Sequence, residues 1–362
     1  MKIHSFSLAT LLATSVLLTD AIGQTTATTD PVGFVTVGIT AGTGIAKRNT
    51  FFSVPMLETQ SITGQVSGVI TGVTSNSISN SNAGWTAGAL SRPATPYLIQ
   101  ITSGAAEGHM FLIASSTNTG GAIAGTANTA TTVTVGFRDT AQVDLTTLGI
   151  LTGTDTYKIY ACDTLSSFFG AGNPTGVDAV RSGSAAASAD TIMLFANGSA
   201  TTYFYSTSSN RWTRVALFSP DASNVPIHPY YGLQFQRLAG TSLSFIVTGD
   251  VPMEKRKAGI KNSGSTFLSQ YWPAGSTLSS IGLHNLPGWQ SGSSASVADT
   301  VILTSSGSVN TYFYNGTNWK RVALFSPNSD ATPVPIGTSV SIVKKGLSTG
   351  FATLTQQPPY TP

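Results

Sequence analysis

The apolar positions of this chain fall into short runs rather than long helical stripes. Val301-Ile302-Leu303 leads through Ser306-Gly307-Ser308 to Thr311-Tyr312-Phe313-Tyr314, then through Asn315-Gly316 to the run Trp319 to Phe325. Short β-branched and aromatic runs bounded by turn residues predict strands. Asn-Gly predicts a tight hairpin turn, in which both central residues accept positive φ. Ser326-Pro327 ends the returning strand, since proline has no N–H to give a central ladder. Past the first 23 residues, no long run combines helical apolar spacing with a matching cap. The pattern therefore predicts an all-β chain of tandem sandwich- or barrel-like modules.

One block occurs twice. Ala189-Asp190-Thr191-Ile192-Met193-Leu194 returns 109 residues later as Ala298-Asp299-Thr300-Val301-Ile302-Leu303, and Thr202-Tyr203-Phe204-Tyr205 returns at the same offset. Trp212-Thr213-Arg214-Val215-Ala216-Leu217-Phe218-Ser219-Pro220 returns as Trp319-Lys320-Arg321-Val322-Ala323-Leu324-Phe325-Ser326-Pro327, at an offset of 107. The difference falls in the intervening turn, where a folded unit tolerates length change. Val225-Pro226-Ile227 matches Val334-Pro335-Ile336, and Thr164-Leu165-Ser166-Ser167 matches Thr277-Leu278-Ser279-Ser280. Two fainter likenesses point to a degenerate third copy near the N-terminus. One sets Asn49 to Ser53 against Ser265 to Ser269; the other sets Tyr97 to Ile113 against the later hairpins.

Lys2, the apolar stretch Phe6 to Leu18 and the small residues Ala21 and Gly23 predict a secretory signal peptide, cleaved before Gln24. The stretch is too short for a spanning helix, and no later run is long enough for a transmembrane segment in the mature chain. The expected division is a signal peptide over 1–23, a Thr/Ser/Gly-rich β domain over 24–153, and β repeats over 154–252 and 253–362. Within 24–153, Ser61 to Gly88 and Ser115 to Val135 read either as stacked β-arcs displaying hydroxyls or as flexible surface loops.

Charge narrows the functional classes. Only 9% of the 362 residues are charged and the net charge is +3. That excludes a nucleic-acid binder with a dense basic face. Lys255-Arg256-Lys257, between the repeats, reads as a solvated linker or a weak site for anionic envelope polymer. Cys162 is the sole cysteine, so no intramolecular disulfide forms, and its strand-like setting predicts a buried small side chain.

Signs of chemistry are sparse. His109, His228 and His284 are scattered and no calcium loop occurs, so neither metal nor cofactor is expected. Gly346-Leu347-Ser348-Thr349-Gly350 has the spacing of a nucleophile elbow, but no helix pattern and no histidine follow it, and it reads as a turn. Asp190 and Asp299 occupy equivalent positions and read as caps bonding local backbone. A glycosidase needs only two carboxylates, so a polysaccharide-active enzyme stays among the alternatives.

Aromatic faces are the best candidates for recognition. Alternation puts Tyr203 with Tyr205, and Tyr312 with Tyr314, on one face of their strands. On the returning strands Trp212 shares a face with Arg214, and Trp319 with Arg321. If exposed, these eight residues form a ligand-binding platform for a sugar ring or a partner's side chain. The alternative is cross-strand pairing that simply stabilises the sheet.

Thr29-Asp30-Pro31-Val32-Gly33-Phe34-Val35, Phe52-Ser53-Val54-Pro55, Gly84-Trp85 and the repeated Thr-Tyr-Phe-Tyr and Trp-x-Arg-Val blocks span the mature chain. Together they resemble an uncharacterised family of bacterial exported proteins. The resemblance implies export and brings no catalytic residues. The expected function is a secreted, non-enzymatic structural or adhesive protein of the cell surface or extracellular matrix. Its partners would be copies of itself, envelope or matrix components, or glycans, met through strand edges and hydroxyl-rich faces. A glycan-binding module using the Trp and Tyr faces is the alternative.

Overall fold

Val35, Val37 and Ile39 turn inward while Phe34, Thr36 and Gly38 face outward, the period-two burial of a strand with one wet face. The computed structural model describes residues 31–59, 61–115, 126–136, 143–196, 199–216, 221–305, 308–323, 327–346 and 348–360. Such strands dominate these residues, which hold little helix, and no sheet closes into a barrel. The signal peptide expected over 1–23 lies outside the described residues.

The first half contributes β1 (Val32–Ile39), β2 (Arg48–Phe52), β3 (Ser67–Val69), β4 (Gly72–Val73), β5 (Ser77–Ser79), β6 (Tyr97–Ile101), β7 (Met110–Ile113), β8 (Thr132–Gly136) and β9 (Thr156–Ala161). A short helix α1 (Leu165–Phe169) precedes β10 (Thr191–Ala196), β11 (Ser199–Ser206), β12 (Arg211–Arg214), β13 (Leu233–Arg237) and β14 (Leu243–Asp250). The remainder comprises β15 (Arg256–Lys261), β16 (Ser263–Ser269), β17 (Ser276–Thr277), β18 (Thr300–Ser305), β19 (Ser308–Tyr314), β20 (Trp319–Arg321), β21 (Pro333–Val334), β22 (Ser339–Lys345) and β23 (Phe351–Gln356).

Two modules share one architecture, strand for strand. In the first, an antiparallel sheet of order β12-β11-β10-β13-β2 is covered by the ribbon β1–β14. The ribbon's inner residues Val35, Val37, Leu243 and Val247 pack into one core with Ile192, Trp212, Leu233 and Phe235. In the second, the sheet β20-β19-β18-β22-β16 is covered by the ribbon β15–β23, with Ala258, Ile260 and Leu354 packed among Val301, Trp319, Val340 and Ile342. The Thr-Leu-Ser-Ser likeness is a repeated reciprocal cap. Thr164 Oγ1 accepts from Ser167 N at 3.1 Å, and Thr277 Oγ1 from Ser280 N at 3.2 Å.

The strand pairing redraws the expected domain boundaries. β2 closes the first sheet beside β13, and β1 pairs with β14, so residues from the expected 24–153 domain complete the repeat expected at 154–252. Register makes Asn49 to Ser53 the equivalent of Ser265 to Ser269: Gln236 faces Asn49 as Val343 faces Ser265. That likeness therefore belongs to the first module and not to a third copy. Between β2 and α1 lies a separate seven-stranded sheet, β3-β9-β6-β7-β8-β5-β4, with its own core of Trp85, Ile99, Phe111, Val133 and Tyr157. Tyr97 to Ile113, the other suggested part of a third copy, forms the hairpin β6–β7 of this sheet. Ala161 N donates to Glu58 O at 2.7 Å, so the chain enters and leaves the inserted domain at nearly the same point.

The modules meet reciprocally. Phe52 bridges to Thr338, and its equivalent Leu268 bridges to Tyr231, itself the equivalent of Thr338. Ser53 N donates to Gly337 O at 2.9 Å, and Ser269 N to Tyr230 O at 3.1 Å. Phe51 stacks on its own equivalent Phe267, with centroids 5.4 Å apart. Paired i-to-j and j-to-i contacts around a self-contacting residue are the signature of a two-fold, isologous interface.

Candidate functional site

The aromatic hairpins assemble as the alternation predicts, but they face inward. Tyr205 pairs with Trp212 and Tyr203 with Arg214; Tyr314 pairs with Trp319 and Tyr312 with Arg321. Tyr203, Tyr205, Trp212, Tyr312 and Trp319 are buried, Tyr314 is half-buried, and only Arg214 and Arg321 are exposed. The ribbons and loops cover this face, so the expected open aromatic platform is replaced by core. Trp212 Nε1 donates to Gly170 O at 2.9 Å and its ring meets Phe169 and Tyr205. Trp319 instead packs against Trp289, His284 and Tyr314, and its Nε1 has no partner among the described residues. The Asn315-Gly316 turn also differs from expectation. It is a four-residue loop, Asn315 to Asn318, with positive φ at Gly316 and Asn315 Oδ1 accepting from Thr317 N and Asn318 N.

Asp190 and Asp299 do more than cap local turns. Both are fully buried. Asp190 Oδ2 accepts from Arg237 Nη1 at 2.5 Å and Arg181 N at 2.7 Å, and its Oδ1 from Leu238 N at 2.6 Å. Asp299 repeats the arrangement: Oδ2 accepts from Gln290 N at 2.8 Å, Oδ1 from Lys345 N at 2.7 Å, and Lys344 Nζ lies 3.6 Å away. Each carboxylate thus ties the start of a central strand to the end of its neighbour and to the preceding loop. A carboxylate so enclosed has no open face for a substrate. The sequence signal was available in the shared offset, but the cationic partners differ, arginine in one copy and lysine in the other.

Lys255-Arg256-Lys257 is a junction, contrary to the linker and polymer-binding readings. Lys255 pairs with Glu107 at 2.6 Å, and Lys257 Nζ donates to Ala105 O. Lys257 N donates to Gly108 O at 2.8 Å, fastening the inserted domain's β6–β7 turn to β15. Arg256 is buried, donating to Ser269 O at 2.7 Å and to Gln356 Oε1, with the rings of Tyr230, Tyr271 and Trp272 within 6 Å of its guanidinium. Burial pushes this guanidinium down to about 10 and the neighbouring Tyr230 phenol upward. Close by, burial holds His228 down to about 3, and burial with Lys257 holds His109 down to about 4. Cys162 is buried and in no disulfide, with Sγ 3.4 Å from Ile227 O.

The described residues contain no group of three or more metal-ligating side chains and no helix long and apolar enough to cross a membrane. The Gly-x-Ser-x-Gly segment connects β22 to β23 without a helix, so the context of a nucleophile elbow is missing; its Leu347 lies outside the described residues. No family model, curated protein or solved structure matches the chain.

Part of what remains open to solvent is strand surface. The outer face of the β1–β14 ribbon exposes Val32, Phe34 and Ile246 among threonines and serines. A shallow groove of about 660 Å³ lies at its end, lined by Gly38, Thr40, Asp178, Ser242 and Ser244. A second groove of about 450 Å³, lined by Ser291, Ser293, Phe313, Asn315 and Lys320, lies on the outer face of the second module.

Proposed function

We propose that the chain is an exported, non-enzymatic structural or adhesive protein of the cell surface or extracellular matrix, associating with itself or with matrix components. One observation carries this reading: the buried charged groups Asp190, Asp299, Arg237, Lys344 and Arg256 spend their interactions inside the fold, while the outer face of the β1–β14 ribbon lies open and bears hydroxyls and apolar side chains. A reactive carboxylate needs access to substrate, whereas a surface of this kind suits association. Export rests on the Lys2-to-Gly23 leader and on the resemblance carried by Thr29 to Val35. Glycan binding through the Trp and Tyr faces loses its main support, because five of those six rings are buried.

The test is fractionation of native cells, following the protein through medium, envelope wash and membrane pellet, with negative-stain microscopy of the fraction that holds it. Ordered arrays or filaments at the envelope are expected. Soluble monomer confined to the medium would overturn the reading.

A further inference from the structure

The two modules keep identical residues where burial demands them, as at Ala189/Ala298, Asp190/Asp299, Tyr203/Tyr312 and Trp212/Trp319. Their longest shared run is different: Arg-Val-Ala-Leu-Phe-Ser-Pro, from Arg214 and from Arg321. Its first three residues are described in both copies and all are exposed, with Val215 at 46% and Val322 at 50%. They leave the outermost strands β12 and β20 at the same point, where Val215 N donates to Thr202 O and Val322 N to Thr311 O. Burial in the core does not account for identity at these positions. Arginine is enriched at protein contacts, and here an exposed one is presented twice, each time beside an exposed valine.

A complementary surface exists on the same chain. Along the outer face of the β1–β14 ribbon, Val32 is 77%, Phe34 71% and Ile246 68% exposed. The strip leads past the pair Gly38–Ser244 into the groove that holds Asp178. Gly38 has open space where a side chain would stand, which keeps the groove clear. Asp178 is an exposed carboxylate held at φ +54°. The equivalent face of the second module's ribbon carries Lys257 and Lys261 instead and would repel an arginine.

We propose that the Arg-Val edge of one copy docks on the β1–β14 outer face of a second copy, with Arg214 or Arg321 on Asp178 and the valine against the apolar strip. This rests on the self-associating reading above and names its interface. Edge and groove are different surfaces, so the contact is heterologous and builds open chains of molecules rather than closed dimers. Each copy carries two edges and one such groove, so either edge can fill the groove of the next copy.

The test uses the protein purified from its native fraction, with assembly followed by light scattering and negative-stain microscopy. Arg214→Glu with Arg321→Glu places carboxylates against Asp178 and should raise the concentration needed for assembly by about tenfold or more. Asp178→Arg alone should do the same. The triple variant, with all three charges reversed, should assemble as the unmodified protein does. Thermal midpoints, measured alongside, should shift little for the exposed arginines and fall modestly for Asp178→Arg at its positive φ, which separates loss of contact from loss of fold. Assembly indifferent to these reversals would overturn the interface while leaving the structural reading intact. Loss without rescue in the triple variant would overturn the pairing with Asp178 and point to another acidic partner. Failure of the unmodified protein to assemble at all would overturn both.

Discussion

Replacing Asp190 by asparagine should be among the most damaging single-atom changes available to this fold. The carboxylate is fully buried and accepts from Arg237, Arg181 N and Leu238 N at 2.5–2.7 Å, and from Ala239 N at 3.3 Å. An amide keeps one oxygen and turns the other position into a donor that faces donors. Removing one partner of a buried ion pair costs about 3–5 kcal/mol, because the remaining charge is stranded. Arg237 keeps Ala179 O, Gly176 O and Thr241 O, which soften the loss without replacing the charge. A cost of about 4 kcal/mol follows, a large share of the roughly 5–15 kcal/mol typical of a folded domain. Asp299→Asn should cost less, since Lys344 lies 3.6 Å from its carboxylate and also donates to Gly288 O at 2.7 Å. The assay is urea unfolding followed by tryptophan fluorescence, with circular dichroism as a second probe. Adding Arg237→Met to Asp190→Asn should recover part of the loss. A cost below about 1 kcal/mol for Asp190→Asn, or equal costs at the two sites, would refute the reasoning.

The tryptophans give a second contrast: Trp212→Phe loses a hydrogen bond to Gly170 and should cost about 1 kcal/mol more than Trp319→Phe, measured by the same unfolding titration. Stability should also fall with acid. His109 and His228 titrate near 6.5 when unfolded and at about 4 and about 3 in the fold, so below pH 6.5 the unfolded chain binds protons first. The urea midpoint should drop between about pH 6.5 and pH 5, above the usual carboxylate range, and the drop should shrink in a His109→Gln, His228→Gln variant. At the junction, Lys255→Ala should change stability by less than about 1 kcal/mol, as expected of a partly exposed pair. Arg256→Ala should cost several times that and increase proteolysis between the inserted domain and β15.

Local patterns carried much of the fold. Alternation and turn residues placed the β10–β12 and β18–β20 hairpins, and the shared offsets aligned the two modules. Pairing between distant segments left no such trace. β2 belongs beside β13 although an entire domain lies between them in sequence, and a five-residue run cannot declare a partner so far away. The likeness of Asn49-Thr50-Phe51-Phe52-Ser53 to Ser265 to Ser269 was real, but its meaning depended on recognising an insertion. Burial was equally silent. Trp212 and Arg214 occupy one face of β12 by alternation, yet one is buried and the other exposed because cover ends within two residues. Three consecutive cations look like solvated chain until Tyr230, Tyr271 and Trp272 arrive from other strands to enclose the middle one.

The reciprocal contact between the modules has a consequence at low protein concentration. Two separate chains meeting through the same contact would part on sufficient dilution. Joined head to tail, the halves see each other at a fixed effective concentration, on the millimolar scale for short connections, however few molecules are present. Dilution then cannot dismantle the pair. Each half can also differ from the other: one carries a whole inserted domain and the other lysines on its outer ribbon, and neither feature is imposed on both sides of the axis.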